Sequence, residues 1–384
     1  MNTARRVALA CAAIAVAVAG IAVLTKLSVN DWRVSALVHM SAEERMSQIA
    51  READRDFAFV HFQSHYDGVY FYAIAVDPLA RDQAHTLIDA APYRYGHAGY
   101  GWLAWLASGG GNASAVPAAL LGVGLAGVAV AAYATSRLAR ELGWSGWGGL
   151  IVALSPGVVY AVTADTSEPV ALAATALALL AYARRKWVWC GIALVAACLI
   201  KEPLLLVPAG LAVWEAIQVL RGRRAADLGR RAPAILAGPV AFGAWAVYLH
   251  GRFAAWPFAH PSEEFLVAPF TGWVDSLRRA ARLAAGPYDQ SQIGNASVAL
   301  LTIVGAVLLI GMIRALWFRS WFAPIFLMYA LLIFSLNWLG LLYPKDLIRE
   351  TTVPLAMLPA VLLARRADEP AELVDELTKL LEQG

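Results

Sequence analysis

The chain has 384 residues, of which 60% are hydrophobic and only 15% are charged. A soluble core does not need so much apolar sequence, so the composition indicates a polytopic membrane protein and excludes an ordinary soluble domain. The formal net charge of +3 is too small to indicate a nucleic-acid partner, and the three cysteines lie in apolar runs, which argues against a disulfide framework or a cysteine-bound metal.

Apolar runs long enough to cross about 30 Å of hydrocarbon predict an all-α fold, a polytopic bundle of about ten transmembrane helices. The predicted spans cover residues 7–27, 115–137, 147–163, 168–184, 187–200, 203–220, 233–250, 294–317, 320–342 and 352–366. Three of them (147–163, 187–200 and 352–366) are short for a span. The membrane domain thus takes in residues 1–366.

Clusters of basic residues mark alternate ends of these runs. They are Arg5–Arg6, Arg137 and Arg140, Arg184–Lys186, Arg221–Arg231, Arg314 and Arg319, and Arg365–Arg366. Because short cytoplasmic loops carry the excess of Lys and Arg, this pattern predicts that both termini are cytoplasmic. The segments 28–114 and 251–293 then become two long outer loops. Heavy use of Ala, Arg and Trp favours a bacterial source, and hence the bacterial inner membrane.

Shorter elements are predicted outside the spans. Ser41–Glu44 is a capping-box pattern that predicts the start of a helix. Ala98–Leu106 is apolar but too short to span, which predicts a re-entrant or interfacial helix in the first outer loop. Residues 367–384 carry leucines at helical spacing among acidic residues and predict a short cytoplasmic amphipathic tail.

The unusual polar residues fall in the outer segments or at outer helix ends, which predicts an outward-facing polar cavity. Asp67 lies among aromatic residues and is followed by Asp77-Pro78, although Asp-Gly is also a common turn dipeptide. Arg94 stands between Tyr93 and Tyr95. Its planar guanidinium suits bidentate recognition of a phosphate, while an interfacial arginine beside two tyrosines would also be ordinary.

Lys201-Glu202-Pro203 separates two apolar runs. An ionisable pair at that position is costly unless its members pair or meet water. It therefore indicates either a tight outer hairpin or a site in which Lys201 holds a lipid phosphate and Glu202 orients that contact. Histidines His61 and His65 lack a third placed ligand, which favours a structural role over a metal site. The segment 260–264 is either an acceptor loop or a solvated loop.

Four features together resemble a known family: Asp67-Gly68 followed by Tyr and Phe, Tyr93-Arg94-Tyr95 leading into a short helix, Ser167-Glu168 opening a span, and Lys201-Glu202 opening a later one. Over about residues 55–220 the chain resembles the bacterial membrane glycosyltransferases of the GT-C superfamily, and most of all their mannosyltransferase-like branch. The resemblance implies an extracytoplasmic active site, a polyprenyl-phosphate sugar donor, and Asp67 as catalytic base. No cofactor is predicted, with a divalent metal left open because no second acidic residue adjoins Asp67.

The chemistry of such a transfer agrees with the residues present. A base must take the proton of the acceptor hydroxyl, and cations must stabilise the phosphate as it leaves. Asp67 would be the base, and Arg94 and Lys201 would bind the phosphate. The remaining substrate-binding candidates are Glu202, Glu168, Arg349, Tyr93 and Asp77. The expected partners are the donor, a cell-envelope glycan, lipid or protein as acceptor, and membrane lipid.

Two other classes of function stay open from the sequence. In a transporter or flippase of a lipid or small solute, Lys201, Glu202 and Glu168 would be pathway charges. Such proteins commonly contain internal repeats, and none is evident here. A non-catalytic membrane protein with the same fold is the third hypothesis.

Overall fold

The computed structural model describes residues 3–60, 66–222, 228–258, 265–317 and 320–363. Within these ranges the chain is helical and contains no β-strand; isolated bridges join Ser41 to Val60 and Leu266 to Leu336. Several segments with predicted roles lie outside the described residues, namely His61 and His65, residues 260–264 and the tail 367–384.

Eighteen α-helices occur in the described ranges, together with short 3₁₀ helices at Val34–Val38, Ala84–Thr86, Gly146–Gly149 and Glu202–Leu205. In chain order the α-helices are α1 (Thr3–Ser28), α2 (Ser47–Ala53), α3 (Gly68–Val76), α4 (Ala91–Tyr95), α5 (Ala98–Ala107), α6 (Val116–Glu141), α7 (Leu150–Ala153), α8 (Pro156–Val162), α9 (Glu168–Ala183), α10 (Trp187–Ile200), α11 (Leu206–Leu220), α12 (Leu228–Phe253), α13 (Thr271–Ala284), α14 (Tyr288–Ala315), α15 (Phe322–Phe334), α16 (Trp338–Leu341), α17 (Pro344–Glu350) and α18 (Thr352–Leu362). The short helix predicted over residues 98–106 is α5.

Five helices among the described residues are long and apolar enough to cross a membrane: Thr3–Ser28, Val116–Glu141, Glu202–Leu220, Leu228–Phe253 and Tyr288–Ala315. The helices α9, α10, α15 and α18 are apolar but shorter. At a rise of 1.5 Å per residue, the 14 residues of α10 reach about 21 Å, short of about 30 Å of hydrocarbon. The all-helical prediction is therefore confirmed for the described residues, whereas the count of ten spans is not.

The span predicted over residues 147–163 is broken into a 3₁₀ turn and the short helices α7 and α8. Ser155 begins α8, and its hydroxyl accepts a hydrogen bond from the Val158 N–H at 3.4 Å. Pro156 follows in the first turn, where its missing N–H costs no hydrogen bond. At Gly157 a Cβ would overlap the Ile348 carbonyl oxygen, so this glycine lets α8 lie against α17.

The capping-box pattern at residues 41–44 forms a turn but does not begin a helix. The Ser41 N–H donates to the Glu44 carboxylate at 3.2 Å, and the Ser41 hydroxyl accepts from the Glu43 N–H at 3.3 Å. Ser41 also bridges to Val60, and α2 begins only at Ser47. Both local hydrogen bonds form, but Ser41 pairs with Val60 in an isolated bridge, and the residues 41–44 are not part of a helix.

Packing between the helices brings several helix ends together. The helix α6 packs against α1 and α9, α10 packs against α9 and α12, and α17 packs against α8 and α14. Close approach of α6 to α9 depends on Gly127, where a Cβ would lie 2.9 Å from the Val170 nitrogen. As a result, the start of α9 and the ends of α10 and α17 lie near one another.

Candidate functional site: a charged pocket at the helix ends

A small pocket of about 60 Å³ contains most of the polar residues singled out from the sequence. It is lined by Asp67, Tyr70, Phe71, Tyr93, Arg94, His97, Thr166, Ser167, Glu168, Lys201, Arg349 and Glu350. Glu202 adjoins the pocket through a contact with His97. The volume accommodates a small group, so a larger ligand has to displace side chains.

Each charged residue reaches the pocket from the end of a helix. Asp67 directly precedes α3, and Glu168 is the first residue of α9, where a carboxylate faces the positive end of the helix dipole. Lys201 ends α10 in an extended conformation, with φ −155° and ψ 124°, just before the Glu202-Pro203 turn. Arg349 lies in the last turn of α17. The charged residues therefore lie at helix ends, where the first N–H and the last C=O groups have no partner within their own helix.

Asp67 is held between two arginines. Its Oδ2 lies 2.6 Å from Arg349 Nη2, and its Oδ1 lies 3.5 Å from Arg94 Nη1. Burial alone would raise the pKa of the Asp67 carboxyl, but Arg349 and then Arg94 hold that pKa well below its usual range. The carboxylate is thus ionised, and its oxygens are engaged.

Arg94 is fixed by aromatic stacking as well as by charge. Its guanidinium carbon lies 3.6 Å from the centre of the Tyr70 ring, and its Nε lies 3.4 Å from Asp89 Oδ1. The side chain is about 19% exposed. An arginine already desolvated and oriented in this way loses little conformational freedom on binding an anion.

A second set of ion pairs joins Lys201 to the same network. Lys201 Nζ lies 3.0 Å from Glu168 Oε1 and 3.3 Å from Glu350 Oε2. Arg349 Nε is 2.9 Å from the same Glu168 oxygen, so this carboxylate joins the two cations. Glu168 is 2% exposed, and its other oxygen, Oε2, has no hydrogen-bond partner in the described part of the chain.

His97 makes the last polar contact of the pocket and was not singled out as a site residue from the sequence. Its Nε2 contacts the Glu202 carboxylate, and its ring packs edge-on against Tyr93 with the centroids 4.9 Å apart. Both partners are partly shielded, with His97 about 14% and Glu202 about 28% exposed. The spacing of Tyr93 and His97, four positions apart, is a sequence signal that would have placed them on one side of the chain.

Asp77 lies away from the pocket and organises the loop after α3. Its Oδ1 accepts from the Arg81 N–H at 2.7 Å, its Oδ2 lies 2.8 Å from His85 Nδ1, and its backbone oxygen accepts from the Tyr95 hydroxyl at 2.7 Å. Because both carboxylate oxygens of Asp77 have partners, this charged side chain can be buried at the end of α3. The contact of Asp77 with substrate stays a prediction, and the position of Asp77 outside the charged pocket does not favour it.

Tyr66, one of the aromatic residues that flank Asp67 in the sequence, joins the Asp67 segment to α17. The Tyr66 hydroxyl donates to Asp346 Oδ1 at 2.7 Å. Lys345 Nζ lies 4.5 Å from the centre of the Tyr66 ring, and the Arg349 guanidinium carbon lies 5.0 Å from it. Tyr66 thereby holds the segment before α3 against α17 and supports the arginine that binds Asp67.

An apolar groove of about 670 Å³ lies beside the charged pocket. It is bounded by α6, α9 and α10, and its lining includes Val170, Ile200 and, on α5, Leu103. Ile200 immediately precedes Lys201, and Val170 lies one turn or less from Glu168. A ligand with a charged head and a long apolar tail would therefore find both surfaces adjacent.

No arrangement of three or more His, Cys, Asp or Glu side chains suited to a metal ion occurs in the described ranges. Cys11, Cys190 and Cys198 are buried free thiols in helices. The side-chain cations that line the pocket among the described residues are Arg94, Lys201 and Arg349.

Comparison of the chain with protein-family models and with curated proteins gave no match. The likeness to GT-C glycosyltransferases accordingly stays a prediction from sequence. We interpret the pocket from its own geometry.

Proposed function

We propose that the protein is an integral membrane glycosyltransferase that moves a sugar from a polyprenyl-phosphate donor to an extracytoplasmic acceptor. The observation that carries this proposal is the convergence of Arg94, Lys201 and Arg349 on one pocket that adjoins an apolar groove. Three cations suit a phosphate, and the groove suits an isoprenoid chain. We place the pocket on the outer side of a bacterial inner membrane crossed about ten times, with both termini in the cytoplasm.

Binding of the donor phosphate would replace ion pairs that the protein makes with itself. In the structure, three carboxylates (Asp67, Glu168 and Glu350) pair with the three cations. A phosphate brings oxygens that accept charge-assisted hydrogen bonds from the same guanidinium and ammonium groups. As the sugar leaves, negative charge builds on the phosphate, and cations already oriented toward it stabilise that charge without further reorganisation.

Asp67 keeps its predicted role as general base only if its arginines move. The guanidinium groups of Arg349 and Arg94 lower the affinity of Asp67 for a proton. A phosphate that draws Arg94 and Arg349 toward itself would weaken both pairs and raise that affinity. The acceptor would be a hydroxyl of a cell-envelope glycan, lipid or protein.

A transporter or flippase fits the same residues less well. Charges that line a transport pathway stand near the middle of the bilayer, at interruptions of spanning helices. Here Glu168 begins α9, Lys201 follows α10 and Arg349 lies in the last turn of α17. Charges gathered at helix ends favour a reaction at one face of the membrane.

Transfer from labelled donors tests the proposed function. Membranes containing the wild-type protein, Asp67→Asn or no added protein are supplied with radiolabelled polyprenyl-phosphate sugars, at equal expression of the two proteins. We expect label in acceptors only with the wild type. Equal labelling in all three preparations would contradict the proposed function.

A further inference from the structure

We propose, building on the sugar transfer above, that His97, oriented by Glu202, accepts the proton of the acceptor hydroxyl in place of Asp67, whose carboxylate instead holds Arg94 and Arg349. His97 lines the charged pocket from the short turn between α4 and α5. Glu202 reaches it from the turn between α10 and α11. The pair brings an imidazole and a carboxylate together at the wall of the pocket.

The contact with Glu202 determines which ring nitrogen is available. Nε2 of His97 donates its proton toward the carboxylate, and the neutral ring then carries its lone pair on Nδ1. Among the described residues, Nδ1 makes no hydrogen bond to another side chain or to the backbone. The ring is also held edge-on by Tyr93, at a centroid distance of 4.9 Å. An oriented imidazole with one free lone pair is a competent general base.

Asp67 and His97 respond to a proton in opposite ways. Protonation of Asp67 removes the negative charge that pairs with Arg349 at 2.6 Å and with Arg94 at 3.5 Å. Protonation of His97 creates a positive charge next to the Glu202 carboxylate and strengthens that contact. The proton is therefore accommodated at His97 without loss of an ion pair, whereas at Asp67 it breaks two.

The step balances with the groups in the pocket. The acceptor oxygen forms a bond to the anomeric carbon of the sugar, and the bond from that carbon to the phosphate oxygen breaks, leaving its electron pair on the phosphate. The hydroxyl proton moves to Nδ1 of His97. Arg94, Lys201 and Arg349 face the polyprenyl phosphate that is released, and Glu202 faces the imidazolium. His97 then gives the proton to water before the next turnover.

This assignment makes transfer sensitive to acid. Imidazole is the side chain that ordinarily changes charge between pH 5 and 8, and only its neutral form can take the proton. The charged or titratable groups that contact His97 or line the same pocket are Glu202, Tyr93, Tyr70, Arg94, Asp67, Lys201, Glu168, Arg349 and Glu350. We expect the wild-type rate to fall toward acid pH.

Rate against pH for matched variants tests the inference. His97→Gln should retain binding of the labelled donor and lower the transfer rate by about 10²-fold or more. It should also lose the acid limb, which is the fall of the transfer rate toward acid pH. The control is His85→Gln, which breaks a similar histidine–carboxylate pair, with Asp77 at 2.8 Å, outside the pocket. It should keep the wild-type rate and acid limb.

Glu202→Gln is the second variant and tests the positioning role of Glu202. Without the carboxylate the imidazole loses the contact that orients it, so the transfer rate should fall while binding of the labelled donor is retained. An unchanged rate and acid limb in His97→Gln would overturn the inference while leaving sugar transfer intact. Absence of transfer by the wild type from every donor would overturn the proposed function itself, so the two failures are distinguishable.

Discussion

Arg349 Nη2 lies 2.6 Å from Asp67 Oδ2, although the two residues belong to opposite ends of the chain. The contact joins the segment before α3 to the last turn of α17. Arg349 also contacts Glu168 at the start of α9. One arginine therefore connects three distant segments, and the pocket exists only when the whole helical bundle has assembled.

Removal of this arginine should destabilise the fold. Arg349→Gln leaves the Asp67 and Glu168 carboxylates without their shared guanidinium, and loss of one partner from a buried pair costs about 3–5 kcal/mol. Arg349 is 11% exposed, so solvent compensates little. Thermal unfolding in detergent measures the effect.

The matched control is Arg184→Gln. Arg184 pairs with Glu141 at 2.7 Å, but both side chains are about one-third exposed. An exposed pair is worth about 0–1 kcal/mol, so this variant should unfold near the wild-type temperature. Equal unfolding temperatures for the two variants would contradict the structural role assigned to Arg349.

Asp67 should contribute a pH-dependent part of the stability. Its pKa in the folded protein is depressed by Arg349 and Arg94, against the effect of burial. A depressed pKa gives stabilisation that is present above the ordinary aspartate value of about 3.9 and is lost as pH falls below it. The difference in unfolding temperature between wild type and Asp67→Asn should shrink as pH falls from 6 to about 3. A difference in unfolding temperature that grows as the pH falls would contradict the depressed pKa of Asp67.

Packing of α6 on α9 should depend on Gly127, one of three glycines in α6. Gly127→Val places new atoms against the backbone of α9, since a Cβ there already lies 2.9 Å from the Val170 nitrogen. Overpacking typically costs about 1–3 kcal/mol. Gly122→Val meets nothing within 4 Å and should leave the unfolding temperature nearly unchanged. Equal losses in the two variants would mean that helix propensity, not contact with α9, sets the cost.

Affinity for polyprenyl phosphate should depend on the cations of the pocket. Loss of a hydrogen bond to a charged group costs about 1.5–3 kcal/mol, so Arg94→Gln and Lys201→Gln should each weaken binding by about tenfold or more. Arg55→Gln, at an exposed site on the first long loop, should bind like the wild type. Titration of the labelled lipid into detergent-solubilised protein measures the three affinities. Unaltered binding in the pocket variants would place the lipid phosphate elsewhere.

The sequence indicates the apolar helices well because long hydrophobic runs leave few alternatives. The sequence does not show where a capping side chain ends one helix and begins another within a single hydrophobic run. Asn337 accepts a hydrogen bond from the Leu339 N–H at 2.9 Å and begins α16, so α15 ends at Phe334 inside the span predicted over 320–342. Ser155 has the same effect within 147–163. A hydropathy pattern does not register a single capping side chain.

The individual residues of the pocket were easier to predict than their pairing. Asp67, Arg94 and Lys201 stand out because charges are rare next to apolar runs. Glu350 and His97 do not stand out, since their significance comes from contacts with Lys201 and Glu202 across the fold. Such contacts depend on tertiary packing, which local patterns do not encode.

Transfer of sugar by the purified protein tests the central claim most directly. The wild-type protein and Lys201→Gln are reconstituted in vesicles with radiolabelled polyprenyl-phosphate sugars and a cell-envelope acceptor fraction, and label in the acceptor is counted over time. We predict that the wild type moves label from lipid to acceptor, and that Lys201→Gln moves it at least about tenfold more slowly because the leaving phosphate loses a cation. Label that stays on the lipid with the wild type, for every sugar tested, would contradict the account.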